Sequence, residues 1–191
     1  MISAIASLIS AGALVTGVAV AWKGLDSWKR EKLAVKRADL GEELIALASD
    51  ISFKLSAIRS PFGHPAPDGD ENEDTYDLRR RIQELMGLDE EYLKLRRLQV
   101  RQKYLFGSEE VDNAISQIFD GRSRLLNSLI KRVRQIARQT PSSERQLDEL
   151  DLLENTIFED GGDSDEFKAH IDNAISIIED RMIPLIRLGE R

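Results

Sequence analysis

The chain has no cysteine. Disulfides, thiolate nucleophiles and thiolate metal sites are therefore excluded, which suits a reducing compartment. Histidine is nearly absent too: His64 and His170 are the only two. Neither belongs to an E-x-x-H pair, so a di-iron bundle site is disfavoured. H-E-x-x-H, G-x-G-x-x-G, the Walker sequence and G-x-S-x-G are all missing, and no serine has a nearby histidine to act as base. No enzyme and no cofactor is expected. Aromatic residues make up 6% of the chain, against 32% charged. Together with little proline and scattered glycine, this balance favours helices over sheets. No stretch alternates with period two for long enough to be a strand, and there is no internal repeat.

A different absence marks the start of the chain. Residues 1–22 contain no charged side chain, and the first is Lys23. About 20 apolar residues in a helix cross a hydrocarbon core of about 30 Å. Ser3, Ser7, Ser10 and Thr16 dilute the segment, but hydroxyls can bond back to the carbonyl four residues earlier. Trp22 and Trp28 flank the exit, where amphipathic rings prefer to sit. Beyond Trp22 lie Lys23, Lys29, Arg30, Lys32, Lys36 and Arg37, against only Asp26 and Glu31. No Lys or Arg comes before the segment. The positive-inside rule then predicts a single-pass anchor in a bacterial inner membrane, N-terminus out and the rest cytoplasmic. The expected membrane interface is Trp22, Lys23, Trp28, Lys29 and Arg30. The rival is a signal peptide cleaved after Ala19-Val20-Ala21, although it would lack the usual basic n-region. A third reading is a buried hydrophobic hairpin partner. Ala13, Gly17 and Ala21 are spaced four apart and offer a small-residue packing face for the anchor. In so small-residue-rich a segment, chance spacing explains them equally well.

The net charge of −7 is unevenly spread. Residues 78–106 hold eight basic and four acidic side chains, a net +4; residues 141–166 hold one basic and ten acidic, a net −9. Overall acidity argues against a nucleic-acid partner. Arg79, Arg80, Arg81, Arg96, Arg97, Arg101 and Lys103 make residues 75–106 basic. They can meet anionic lipid or pair with acids such as Glu84 or the 141–166 segment. The acidic loop invites a calcium register starting at Asp68, with Asp70, Asn72 and Asp74 at positions three, five and seven. Glu73 then replaces the turn glycine at position six, and Arg79 replaces the bidentate glutamate at position twelve. A solvated acidic loop is the better reading.

Apolar periodicity lays out the helices. Leu33, Leu40, Leu44, Leu47, Ile51, Leu55 and Ile58 form a nearly heptad stripe over 25–59, continuous with the anchor. Pro61, Gly63, Pro65 and Pro67 stop it, and a mobile acidic loop follows over 61–74. A second long helix starts at Asp74 or Thr75, with Gly87 as a kink point, and stops at Gly107. The third covers 109–138. Thr140 and Pro141 open a shorter helix, broken by Gly161-Gly162. Asp163 or Ser164 caps a last helix that Pro184 ends or kinks.

The pattern formed by Trp28-Lys29-Arg30 through Lys36-Arg37, Glu42-Glu43-Leu44, Ala57-Ile58-Arg59-Ser60-Pro61-Phe62, residues 104–107 and residues 171–184 resembles a group of bacterial proteins of unassigned function. These have an N-terminal membrane segment and a helical body. The resemblance covers most of the chain; it implies the anchor and the bundle, and adds no site.

The expected fold is all-α. An anchor over 1–22 runs into an antiparallel bundle of three long and two shorter helices over 23–191. The expected function is a membrane-tethered interaction or scaffold module, with lipid and a protein partner or a second copy as partners. A pore- or toxin-like oligomer built through the first segment is the alternative.

Overall fold

A computed structural model describes the backbone of residues 2–69, 73–138, 144–159 and 165–189. Side chains are described over 21–69, 74–137, 150–159 and 165–187. Every regular element among them is helical: α1 Ile2–Arg59, a 3-10 turn Glu73–Thr75, α2 Tyr76–Gly87, α3 Asp89–Leu105, α4 Glu109–Arg138, α5 Glu144–Ile157 and α6 Glu166–Gly189.

Among the described residues of α1, those of the second half pack into the body. Leu40, Leu44, Ala48, Ile51, Leu55 and Ile58 follow one another at steps of three or four and are buried. That spacing keeps them on one face, which packs against α3 and α6. α2 and α3 run back alongside it: Glu43 of α1 meets Arg101, and Lys54 meets Glu91. α4 turns again, with Gln99 of α3 bonded to Ser116, and α6 returns, placing Phe167 by Arg59 and Ile186 by Gly41. Neighbours are therefore antiparallel, in an up-down-up-down bundle. α5 lies outside it against α4, contributing Leu153 and Ile157 to the core.

Two glycines permit close helix contact. A Cβ on Gly121 would stand 2.5 Å from Ile171 Cδ1, so the Ile171 side chain of α6 packs directly onto the backbone of α4 there. Gly41 allows Met182 and Ile186 of α6 to approach α1 in the same way, with 3.3 Å from the Cβ position to Ile186 Cγ1. The α3–α4 turn needs its glycine for another reason: Gly107 has φ +64, and its N–H donates to the Gln102 carbonyl at 3.3 Å.

The helical class, the end of α1 and both limits of α4 agree with the periodicity. Five details differ. The second long helix is two helices, interrupted at Leu88, whose N–H turns back to the Leu85 carbonyl. Leu33 belongs to the sequence stripe yet is exposed, because it lies at the edge of the bundle, beside Leu185 near the end of α6 and one turn before Arg37, which meets the α3–α4 turn. Thr75 stands before α2 without a side-chain cap bond; instead its hydroxyl accepts from Arg79 Nε at 3.1 Å. α6 runs through Pro184 to Gly189. The lost backbone bond falls on an exposed turn, where water can serve the Asp180 carbonyl. The cap of α6 is Asp165, whose Oδ1 accepts from the Lys168 N–H at 2.8 Å. Asp163, Ser164, Thr140, Pro141, Gly161, Gly162, Asp70 and Asn72 lie outside the described residues, as do the side chains of Ala13 and Gly17.

No helix among the described residues is long and apolar enough to cross a membrane. The side chains of 2–20 lie outside that set.

Candidate functional site

α1 carries two chemically different surfaces. Over residues 21–33 every side chain is exposed. Trp22 is 70% exposed and Trp28 53%, with Leu25 and Val35 also open to solvent. Lys32 Nζ lies 4.7 Å from the Trp28 ring centroid, a cation–π contact along one helix face. Lys23, Lys29, Arg30 and Lys36 are exposed and enter no ion pair among the described residues. All five expected interface residues thus lie on this exposed stretch of α1, the stalk, and Ala21 is exposed beside them.

At the other end of α1 the chain fastens itself with arginines. Arg59 is 1% exposed and Arg81 is fully buried. Arg59 Nε donates to the Thr156 carbonyl at 2.9 Å, and its Nη2 reaches the carbonyls of Asn155 at 3.0 Å and Phe158 at 2.9 Å. The same Nη2 lies 2.9 Å from the Asp165 carboxylate, and the guanidinium stacks 4.4 Å from the Phe167 centroid. The unsatisfied carbonyls at the end of α5 are thus capped by a cation, which the helix dipole also favours. Arg81 does the same for α1: it donates to the Ile58 carbonyl and, at 2.8 Å, to that of Ser60, and stacks over Phe158.

The device recurs twice more. Arg37 Nε donates to the Leu105 carbonyl at 3.1 Å, ending α3, and lies over Phe106. Arg122 reaches the Leu85 carbonyl at 3.3 Å near the end of α2, pairs with Asp89 and lies over Tyr92. Burial of Tyr92 holds its phenol above its ordinary range, while the charge of Arg122 pulls weakly the other way. Four arginines therefore close four helix C-termini, each from another helix and each on an aromatic ring.

Asp77 ties the proline-rich segment to this end. Its carboxylate accepts from Arg81 at 2.6 Å, from Arg80 at 3.0 Å and from the His64 backbone N–H at 3.0 Å. Burial pushes its pKa up, but the Arg81, His64 and Arg80 bonds outweigh that and hold it below the usual value.

The basic second helix is mostly accounted for at short range. Arg80 pairs with Asp77 and Glu84, Arg96 bonds Gln99 and stacks over Phe119, and Arg101 pairs with Glu43. Among the described residues none of them pairs with the acidic 141–166 segment. That segment turns to other elements: Glu154 meets Arg132 of α4, and Glu159 meets Lys168 of α6. A groove of about 470 Å³ opens between α4, α5 and the start of α6, rimmed by Arg124, Lys131 and the exposed Leu152. No group of three or more His, Asp or Glu among the described residues could hold a metal ion.

The arginine caps were not singled out by sequence, although a signal was present. Arg81 falls three and four residues from Leu78 and Leu85, and Arg59 four from Leu55, which puts both on the apolar stripe.

No family model, curated protein or solved structure matches the chain.

Proposed function

We propose that the chain is a tethered helical module. Its first 22 residues enter the bacterial inner membrane with the N-terminus outside. The stalk then holds the bundle on the cytoplasmic side, where it takes up a protein partner or a second copy. Tethering raises the effective concentration of whatever binds the bundle. The observation that supports this reading is the continuity of α1: an uncharged segment, an exposed stalk with two tryptophans and cations that enter no ion pair among the described residues, and a buried half share one uninterrupted helix. The groove between α4, α5 and α6 is the surface offered to a partner.

The test is fractionation of cells expressing the full chain, combined with cross-linking and mass spectrometry. The chain should stay with inner membranes after alkaline carbonate, and removal of residues 2–22 should release it. A foreign protein cross-linked through 124–167 would support the adaptor role. Cross-links between copies alone would replace it with self-assembly. Recovery of the full chain in the soluble or periplasmic fraction would overturn the tether.

A further inference from the structure

At about 100° per residue, the side chains of the stalk divide into two faces. Trp22, Leu25, Trp28 and Val35 share an arc of about 140° with Lys29, Lys32 and Lys36. Both stalk acids, Asp26 and Glu31, fall outside it. All seven side chains of the arc are exposed, and Lys32 stacks on Trp28 within it. A helix face made of tryptophan, aliphatic and lysine without acid is the composition that lies in the headgroup boundary of an anionic bilayer.

The uninterrupted helix makes this contact geometrically selective. Trp28 is six residues beyond Trp22, about 9 Å along the axis, and Lys36 is about 21 Å beyond it. The headgroup layer adds only about 5–8 Å on each side of the hydrocarbon core. An upright stalk would therefore lift Lys32, Val35 and Lys36 clear of the lipid, while a leaning stalk brings the whole arc down onto it. The buried face of Leu40, Leu44, Ile51 and Leu55 is centred about 100° around the helix from the middle of the arc, with Leu40 in line with Trp22 at the arc's edge.

We infer that the Trp22–Leu25–Trp28–Val35 face, with Lys29, Lys32 and Lys36, is an anionic-lipid contact that tilts α1 and so sets the orientation of the bundle at the membrane surface. This rests on the tethered reading above. Each lysine at the surface contributes about a fivefold change in attraction to anionic lipid, so the contact is charge-dependent.

The chain's two tryptophans make the test direct, because each single-tryptophan variant has one reporter. The full chain carrying Trp22→Phe is reconstituted in vesicles of anionic or purely zwitterionic lipid, brominated near the glycerol end of the acyl chains. Trp28 emission should shift to the blue and be quenched with anionic lipid. It should return toward the solvent-exposed spectrum in zwitterionic lipid or in Lys29→Glu/Lys32→Glu/Lys36→Glu. Quenching of Trp22 in the Trp28→Phe chain, with Trp28 solvent-like in every lipid, would overturn the tilt and leave the tether standing. Trp28 quenching that ignores both lipid charge and the triple substitution would overturn the electrostatic contact. No quenching at either position would overturn both the tilt and the tether.

Discussion

The two halves of α1 share a backbone and a similar apolar spacing but meet opposite fates. From Leu40 to Arg59 the apolar face is covered by α3 and α6, and the charges that flank it have partners: Glu43 with Arg101, Lys54 with Asp50 and Glu91, Arg59 with Asp165. From Ala21 to Leu33 every side chain is exposed, and its cations enter no ion pair among the described residues. Apolar period alone does not decide what a helix buries; the length of the facing elements does. Leu185 of α6 and the α3–α4 turn meet the helix between Arg30 and Arg37, and the described side chains before that stretch are exposed.

The comparison breaks most easily at Arg59. Arg59→Ala would leave Asp165 buried without its cation and the carbonyls of Asn155, Thr156 and Phe158 without their donor. Loss of one partner of a buried pair costs about 3–5 kcal/mol. Chemical denaturation of the bundle should show a loss of that size, while lipid attachment of the stalk should be unchanged. Gly121→Val strikes the same half from the α4–α6 side. The new side chain meets Ile171, and overpacking of this kind costs about 1–3 kcal/mol. Adding Ile171→Ala should recover part of the loss in the same denaturation experiment.

Asp77 sharpens the picture through pH. Its folded pKa lies below the unfolded value, so its contribution is complete above about pH 4 and disappears as pH falls through the lower folded value. Wild-type stability, followed from pH 7 to pH 2.5, should therefore fall more steeply below about pH 4 than that of Asp77→Asn. The smallest effect is expected at Arg101, paired with Glu43 on an open surface. Arg101→Ala should change unfolding stability by at most about 1 kcal/mol.

Much of the bundle was legible because helices announce themselves by period and by their stops. The prolines after Arg59 and the glycine at 107 fixed two helix ends, and the α4 stripe from Val111 to Ile136 fixed a third element. Arginine concealed the rest. The run Arg79-Arg80-Arg81 reads as a basic face for anionic lipid or neighbouring acids, yet its third member is fully buried over Phe158. Whether an arginine is solvent-facing or a helix cap depends on which carbonyls fold against it, and those of Ile58 and Ser60 lie more than twenty residues away. Trp22, Lys23, Trp28, Lys29 and Arg30 stand out in the sequence by composition, and the structure shows them exposed. Leu33 continues the stripe in sequence and leaves the core in space.

The most direct test of the account is hydrogen exchange on the full chain in anionic lipid nanodiscs, comparing wild type with Arg59→Ala. The account predicts that amides of 40–58 lose protection in the variant while those of 5–20, held by lipid, keep it. Loss of protection in both halves together, or rapid exchange over 5–20 in the wild type, would contradict a bundle hung from the membrane by the free half of α1.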